Sequence, residues 1–312
     1  MGAMTDGDAP CFASAAWVHA RGVITFERPR VMAILNVTPD SFYDGGRLHD
    51  GEQARVDAVL EHARRCVAAG ADILDVGGES TRPGADPVEP EQERQRVVPC
   101  IEVMVADPDL REVPISIDTR RASVAAAALE AGASIVNDIS GLADPEMASI
   151  VAAHGAGLCI GHLRGEPRTM QRDVCFTNVL REVTGELAER VSTAVMAGIE
   201  RRCIVVDPGI GFGKSAEQSA GLVAASTWLE HELCCPVLIG ASRKSFLGTL
   251  THGAPDTRLL GSVVAAVVAV EKGARVVRVH DVGETVEALT VAAAIRHAGE
   301  TLHRAGIREA RP

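Results

Sequence analysis

Short aliphatic runs that alternate with alanine-rich helical stretches are the feature of this sequence that most constrains its fold. Runs of this kind are typical of buried parallel strands, and a helical pattern after each run predicts a series of strand–helix units. Eight units of about 30 residues match a (β/α)8 TIM barrel in number and total length. A doubly wound open sheet is the alternative, although it seldom needs eight such even units. The predicted strands are residues 31–36, 72–76, 114–117, 134–137, 157–161, 203–206, 236–240 and 275–279.

The composition and the chain ends predict one domain over residues 16–300. Hydrophobic residues make up 46% of the chain and aromatic residues only 3%, so the core must consist mainly of Ala, Val, Leu and Ile. An apolar stretch at 17–29 precedes the first run, and with Gly22 as its turn it predicts an N-terminal hairpin extension that closes the bottom of the barrel. Residues 1–15 are small and polar and are predicted to be disordered, and the charged end at 301–312 is predicted to fray.

Charge and hydropathy narrow the class of function. The net charge is −11 and no basic run occurs, which argues against a nucleic-acid partner. No apolar run approaches the roughly 20 residues of a membrane span. The N-terminus has no basic segment followed by an apolar one, as a signal peptide would. We therefore expect a cytoplasmic protein whose partners are small molecules rather than nucleic acid or membrane.

Polar residues follow every predicted strand. In a barrel of this kind the C-terminal ends of the strands converge on one face, where active sites lie. Taken singly, each residue has an ordinary explanation as a helix cap, a turn or a surface charge. Eight such ends together favour a functional site. The residues concerned are Asn36, Glu79 to Arg82, Asp118, Asn137, His162, Asp207, Ser242 to Lys244, and Arg278 with His280.

The chemistry of these residues indicates the kind of ligand. Arg82, Lys244, Arg278 and His280 supply cationic groups, and the seventh and eighth strands are where barrels commonly hold phosphate. Arginine suits a bidentate grip on phosphate oxygens. Carboxylates and amides from the other strands suit a heterocycle with N–H donors. The set predicts a phosphorylated, nitrogen-rich small molecule, and neither a nucleophile elbow nor a P-loop is present.

Eight motifs in this order closely resemble the dihydropteroate synthase family of pterin-binding enzymes, and they cover about residues 31–295. The first two motifs are the most specific to the family. The motifs are ILNVTPDSF with DGG (34–46), DVGGESTRPGA (75–85), SIDT (116–119), NDISG (137–141), HLRGEPRTMQ (162–171), DPGIGFGK (207–214), GASRKSFLG (240–248) and RVHDV (278–282).

The resemblance implies roles for individual residues. The pterin site would comprise Asp118, Asn137, Asp207 and Lys244. The diphosphate site would comprise Asn36, Arg82, Arg278 and His280, with Asn36 also a ligand of Mg²⁺. The 4-aminobenzoate site would comprise Phe42, Thr81, Arg82, Pro83, Phe212 and Ser245. Asn36, Lys244, Arg278 and His280 would be the catalytic groups.

The resemblance also implies a mechanism and an assembly. The C–O bond to diphosphate would break first, and the neutral arylamine would then attack the methylene carbon. The loops at 37–47 and 77–87 would act as lids that exclude water. The family is commonly dimeric through its last helices, so we expect a homodimer. The alternatives are a methyltetrahydrofolate-dependent methyltransferase on the same barrel and a non-catalytic paralogue.

Two departures from the family pattern bear on the pocket. Tyr43 is the only tyrosine of the chain and stands where a small serine is usual, which predicts altered access to the second substrate or a side chain in solvent. Gly161 stands where a methionine often precedes the histidine of the fifth strand. We expect this change to loosen one side of the pterin pocket.

Overall fold

A computed structural model describes residues 15–37, 51–80, 87–165, 170, 175–251 and 258–309. Five residues named above, Phe42, Tyr43, Thr81, Arg82 and Pro83, lie outside these ranges, as do most of the two predicted lid loops. The strands are β1 (Ala16–His19), β2 (Gly22–Thr25), β3 (Arg30–Asn36), β4 (Ile73–Gly77), β5 (Ile115–Asp118), β6 (Ile135–Asp138), β7 (Gly157–Gly161), β8 (Ile204–Asp207), β9 (Leu238–Ile239) and β10 (Val276–Val279). The helices are α1 (Gly51–Ala68), α2 (Pro90–Ala106), α3 (Ala122–Glu130), α4 (Met147–His154), α5 (Val179–Met196), α6 (Ala216–Val223), α7 (Ser226–Leu233), α8 (Ser245–Thr251), α9 (Arg258–Glu271) and α10 (Val282–Glu309).

Eight parallel strands form the barrel, in the order β8-β7-β6-β5-β4-β3-β10-β9. The two ends of this order meet, because Val206 of β8 bridges Val237 just before β9 and its N–H donates to the carbonyl of Pro236 at 3.0 Å. The predicted (β/α)8 barrel is therefore confirmed, and the open sheet is excluded. Each of the eight predicted aliphatic runs contains the core of one barrel strand.

Buried aliphatic side chains explain why these runs form strands. Both faces of β4 and β7 are buried, one against the barrel interior and one against the surrounding helices.

Several helices end at a glycine in the left-handed region, as the Ala-Gly stops predict. Gly273 after α9 is the most constrained example, since it has φ +98° and a Cβ atom there would lie 2.5 Å from Oγ1 of Thr227.

The N-terminal hairpin covers the bottom of the barrel, as expected. Strands β1 and β2 pair antiparallel, with Trp17 opposite Ile24. Trp17 is fully buried, and its indole N–H donates to the carbonyl of Cys203 at 2.9 Å. The predicted turn at Gly22 is wrong by one position, because the turn residues are Ala20 and Arg21 and Gly22 begins β2. Trp17, Ile24 and Phe26 share one apolar cluster with Met32, Ile73, Ile135, Cys159, Val205, Leu238 and Val276 of the barrel strands.

The last helix, α10, extends to Glu309 and thus includes much of the segment that was predicted to fray. It packs against α9 on the outside of the barrel. Within the described ranges, none of the helices combines the length and the apolar character that crossing a membrane requires.

Candidate active site

The C-terminal ends of the strands bring the predicted polar residues to one face of the barrel. Asp118 ends β5 beside Asn137 of β6, and Asp207 ends β8 beside Gly161 of β7. Gly240, just after β9, marks the centre of this face. A Cβ atom there would lie 3.7 Å from Oδ2 of Asp207 and 3.9 Å from both Nζ of Lys244 and Cβ of Arg278.

Arg278 links two buried carboxylates across the barrel. Its Nε donates to Oδ2 of Asp75 at 2.5 Å, and its Nη2 donates to Oδ2 of Asp118. Burial raises the pKa of Asp118 to about 7, an effect that Arg278 opposes and Asp75 reinforces. Burial alone would lower the pKa of Arg278, but Asp75 and Asp118 raise it above its ordinary value. Arg278 is therefore a permanent cation that holds one side of the site together.

Asp75 is the site residue that the sequence reasoning missed. It lies inside β4 and is fully buried, and its Oδ2 also accepts a hydrogen bond from Nδ2 of Asn137 at 3.0 Å. Its Oδ1 is buried and has no hydrogen-bond partner among the described residues. A buried carboxylate oxygen without a donor is costly unless a ligand supplies one. The available signal was a carboxylate within a strand of otherwise aliphatic residues.

Lys244 and Asp207 form the opposite side of the site. The Nζ of Lys244 donates to the carbonyl of Ile210 at 2.5 Å and lies 4.1 Å from the centroid of the Phe212 ring. Burial lowers the pKa of Lys244 to about 8, against the opposing effect of Asp207. Oδ1 of Asp207 accepts the N–H of Gly209 at 2.7 Å. The site therefore presents a carboxylate and a cation at its centre, beside an aromatic ring.

His280 follows β10 and is oriented by a serine. Oγ of Ser242 accepts the backbone N–H of His280 at 3.2 Å and lies 3.0 Å from its Nδ1. The Ser242 hydroxyl can donate a hydrogen bond to Nδ1 or accept one from it, so it orients the imidazole in either tautomer. Asn36 is half-buried at the end of β3, and Ser245 is exposed at the start of α8. All three residues lie at the same end of the barrel as Arg278.

Gly161 does not loosen the pocket as expected. A Cβ atom there would lie 2.5 Å from Cα of Ile139 and 2.9 Å from the carbonyl oxygen of Asp138. The carbonyl of Gly161 also accepts a hydrogen bond from Nη1 of Arg190 at 2.8 Å. The backbones of β7 and the segment after β6 are in close contact. They can approach this closely because residue 161 has no side chain, and the glycine therefore leaves no void.

The profile of the pterin binding enzymes matches residues 32–280, which include every one of these site residues. The chain belongs to this pterin-binding family. It is 42% identical over 277 residues to the dihydropteroate synthase of Escherichia coli K12, a match that covers 89% of this chain and 95% of that protein. It is 47% identical over 266 residues to a probable bifunctional folylpolyglutamate synthase/dihydropteroate synthase of Haloferax volcanii, a match that covers 85% of this chain but only 30% of that longer protein.

A solved structure of a pterin-binding enzyme has the same fold. The dihydropteroate synthase of Xanthomonas albilineans with 4-aminobenzoic acid superposes with a TM-score of 0.82 at 43% identity, over 91% of this chain and 98% of that one. The resemblance to the dihydropteroate synthases that the motifs indicated is therefore confirmed.

Proposed function

We propose that this protein is a dihydropteroate synthase, a transferase that condenses (7,8-dihydropterin-6-yl)methyl diphosphate with 4-aminobenzoate to give 7,8-dihydropteroate and diphosphate. The observation that carries the proposal is the cluster of Asp75, Asp118, Asp207, Lys244 and Arg278 at one end of the barrel. It combines buried acceptors for a heterocycle with cations for a phosphorylated group. The similarity to dihydropteroate synthases, described above, supports the same reaction.

The pterin ring is proposed to lie between Asp118, Asn137, Asp207 and Lys244. Its amino group and adjacent ring N–H form a paired donor edge, which one carboxylate can accept in two hydrogen bonds. Asp207 is suited to this edge because its second oxygen, Oδ2, lies beside Gly240 at the centre of the site. Lys244 would face the ring oxygen and nitrogen.

The diphosphate is proposed to leave toward Arg278 and His280. Asp75 and Asp118 occupy two of the five N–H donors of Arg278, and the remaining donors suit phosphate oxygens. The imidazole of His280 is a further hydrogen-bond donor for an anion when its Nε2 carries a proton. Both groups would stabilise the negative charge that develops as the C–O bond breaks, which is electrostatic catalysis. Arg82 is proposed to join them, although it lies outside the described residues.

Asn36 is proposed as the protein ligand of Mg²⁺. Mg²⁺ prefers oxygen ligands and often takes only one or two from the protein, with substrate phosphates and water supplying the others. The side-chain amide oxygen of Asn36, at the end of β3, is an oxygen ligand of this kind. In the described part of the chain, no group of three or more His, Cys, Asp or Glu side chains could hold a metal ion, so this arrangement depends on the diphosphate. When bound, Mg²⁺ would neutralise charge on the leaving group.

The second substrate, 4-aminobenzoate, is proposed to bind against Phe212 and Ser245 at the outer side of Lys244. The other expected contacts, Phe42, Thr81, Arg82 and Pro83, lie outside the described residues. Its amino group is neutral near pH 7 and attacks the methylene carbon without a strong base. The motifs contain no nucleophile elbow, which agrees with this chemistry.

An assay of diphosphate release tests the proposed function. We expect release that requires 4-aminobenzoate, the pterin diphosphate and Mg²⁺ together, and a product with the mass of 7,8-dihydropteroate. A methyltetrahydrofolate-dependent methyltransferase or a non-catalytic paralogue would release no diphosphate. The Arg278→Ala variant should lose most of this turnover; unchanged turnover would show that the role of Arg278 is wrong.

A homodimer is proposed on the face formed by α9 and α10. Apolar side chains at helical spacing are exposed on both helices, with Leu260 73% and Ile295 68% accessible. Exposed apolar residues grouped on two helices that pack against each other favour an interaction surface. The exposed apolar residues of this face are Leu259, Leu260, Val264, Val268, Val291, Ile295 and Leu302.

A cytoplasmic location stays a prediction from the sequence.

A further inference from the structure

We propose that Lys214 is a positioning residue that holds the loop after β8 in place, and through this loop orients Phe212 and Lys244, without touching either substrate. The inference rests on the proposed function only for its kinetic test. It concerns a buried group that no step of the mechanism above uses.

Lys214 is almost completely inaccessible, with 3% of its surface exposed. Its Nζ lies 3.0 Å from Nδ1 of His162 and donates to the carbonyl of His162 at 3.3 Å and to the carbonyl of Phe212 at 2.9 Å. A lysine ammonium has three N–H donors, and these three acceptors satisfy all of them. The side chain therefore links the end of β7 to the loop after β8.

His162 is held in the orientation that Lys214 requires. Its Nε2 lies 3.0 Å from Oε2 of Glu186, and Glu186 in turn pairs with Arg164. A proton on Nε2 is donated to the Glu186 carboxylate, which leaves Nδ1 as an acceptor for Lys214. Burial and the nearby Lys214 lower the pKa of His162 to about 2, so the imidazole stays neutral.

The two loops that Lys214 joins are in direct contact. Gly209 has φ +69°, and a Cβ atom there would lie 1.8 Å from the carbonyl oxygen of His162. The N–H of Phe212 donates to the carbonyl of Gly209 at 3.1 Å, which closes a tight turn around this contact. A shift of the loop would therefore move Phe212 directly.

Lys244 holds the same loop from the side of the active site. The Nζ of Lys244 donates to the carbonyl of Ile210 and lies over the Phe212 ring. The carbonyl of Phe212, two residues further along the loop, is the one that accepts from Lys214. Two lysines thus fix one loop, with Lys214 on the buried side and Lys244 in the site. If Lys214 no longer held the loop, both the aromatic ring and the Nζ of Lys244 would change position.

Stability alone does not account for a lysine at this position. Among the described residues, no carboxylate lies within ion-pair distance of Nζ of Lys214. A buried cation without a counter-ion is costly, and an apolar side chain of similar shape is often tolerated as well or better. Burial accordingly lowers the pKa of Lys214 to about 7. We therefore expect a variant with methionine at this position to fold.

The kinetic test compares Lys214→Met with Lys272→Met. The chain contains only three lysines, and Lys272 is exposed after α9, so it provides the same substitution away from the site. In Lys214→Met we expect KM for 4-aminobenzoate, the proposed partner of Phe212, and KM for the pterin diphosphate, the proposed partner of Lys244, both to rise by roughly ten- to a hundredfold, the scale of a misplaced binding group. KM values equal to those of Lys272→Met would overturn the proposal.

A pair of histidine variants tests the same link if Lys214→Met does not fold. His162→Asn keeps an acceptor near the position of Nδ1, whereas His162→Gln reaches toward Glu186 and removes the acceptor of Lys214. We expect KM for 4-aminobenzoate to rise more in His162→Gln than in His162→Asn. The same KM in the two variants would contradict the proposed role of Lys214.

A spectroscopic measurement separates this proposal from the proposed function. Isotope-labelled lysine gives three side-chain NMR signals, which the Lys→Met variants assign. We expect the Lys244 signal to shift in Lys214→Met and to stay in place in Lys272→Met, whether or not the protein turns over. An unchanged Lys244 signal in Lys214→Met rules out the positioning role, whereas a wild type that releases no diphosphate rules out the proposed function alone.

Discussion

At the scale of single residues, the site depends on charges that are removed from water and paired with one another. Arg278 holds Asp75 and Asp118, and the pKa values of Asp118, Lys214 and Lys244 all move toward the neutral form as burial requires. Such groups interact strongly with a ligand because little water screens them. The sequence identified most of these residues but could not reveal how they pair.

Asp75→Asn tests the carboxylate that the sequence reasoning overlooked. The substitution removes the charge that faces Arg278 and weakens the acceptor at Oδ1. Hydrogen bonds to charged groups contribute about 1.5–3 kcal/mol, so kcat/KM should fall by roughly 10- to 100-fold. Asp72→Asn is the matched control, because Asp72 pairs with Arg28 and Arg30 at the opposite end of the barrel. A kcat/KM for Asp75→Asn equal to that of the control would show that Asp75 has no functional role.

The buried lysines predict a pH dependence that can be measured. In the folded protein the pKa of Lys214 is lowered from 10.5 to about 7. Between these two pH values the unfolded chain binds more protons than the folded one, so the free energy of unfolding rises with pH across this window. Denaturant titrations from pH 7 to 10 should show a smaller rise for Lys214→Met than for Lys272→Met. Identical slopes would mean that Lys214 keeps an ordinary pKa.

At the scale of the elements, the strand ends and the segments that follow them shape the site more than the helices do. β9 has only two residues, and Gly240 immediately after it leaves the centre of the site open to Asp207, Lys244 and Arg278. The loop after β8 turns sharply at Gly209, where only glycine allows the approach to His162. These glycines explain why the site has space for a ligand in one place and close packing in another.

Gly240→Ala should reduce pterin binding without destabilising the fold. The added methyl group would make ordinary contacts of 3.7–3.9 Å in the free protein, but it would occupy space between Asp207 and Lys244. Overpacking of this kind costs about 1–3 kcal/mol, so KM for the pterin diphosphate should rise by roughly tenfold with an unchanged Tm. Gly221→Ala in α6, where a Cβ atom has no neighbour within 4 Å, is the control. Wild-type KM in Gly240→Ala would place the pterin elsewhere.

At the scale of the whole molecule, the residues that stabilise the fold and those proposed to carry the reaction lie at opposite ends of the barrel. The hairpin and its Trp17 cluster fill the N-terminal end, whereas the buried charges lie at the C-terminal end. The face of α9 and α10 is separate from both, because these helices lie outside the barrel. Substitutions on that face should therefore affect assembly before they affect the reaction.

The proposed homodimer is tested by placing charges on this face. Leu260→Glu combined with Ile295→Glu should convert a dimer to a monomer, because both side chains are exposed and an interface would have to bury the new carboxylates. Light scattering after size-exclusion chromatography measures the mass directly. Met196→Glu on α5, where the side chain is 81% exposed, should leave the mass unchanged. A monomeric wild type would disprove the dimer.

The sequence by itself determined the order of elements and the composition of the site face. Aliphatic runs followed by alanine-rich helices predict the barrel because burial on both sides of a strand is a local pattern. Five polar residues are recognisable because they lie at or next to the ends of those runs: Asn36, Asp118, Asn137, Asp207 and Arg278. Only the tertiary structure decided which side chains meet. Arg278 reaches Asp75 across 203 residues of chain and Lys214 reaches His162 across 52. Such pairings depend on barrel closure and on side-chain direction, which no local pattern encodes, and the tight packing at Gly161 depends on the neighbouring strand for the same reason.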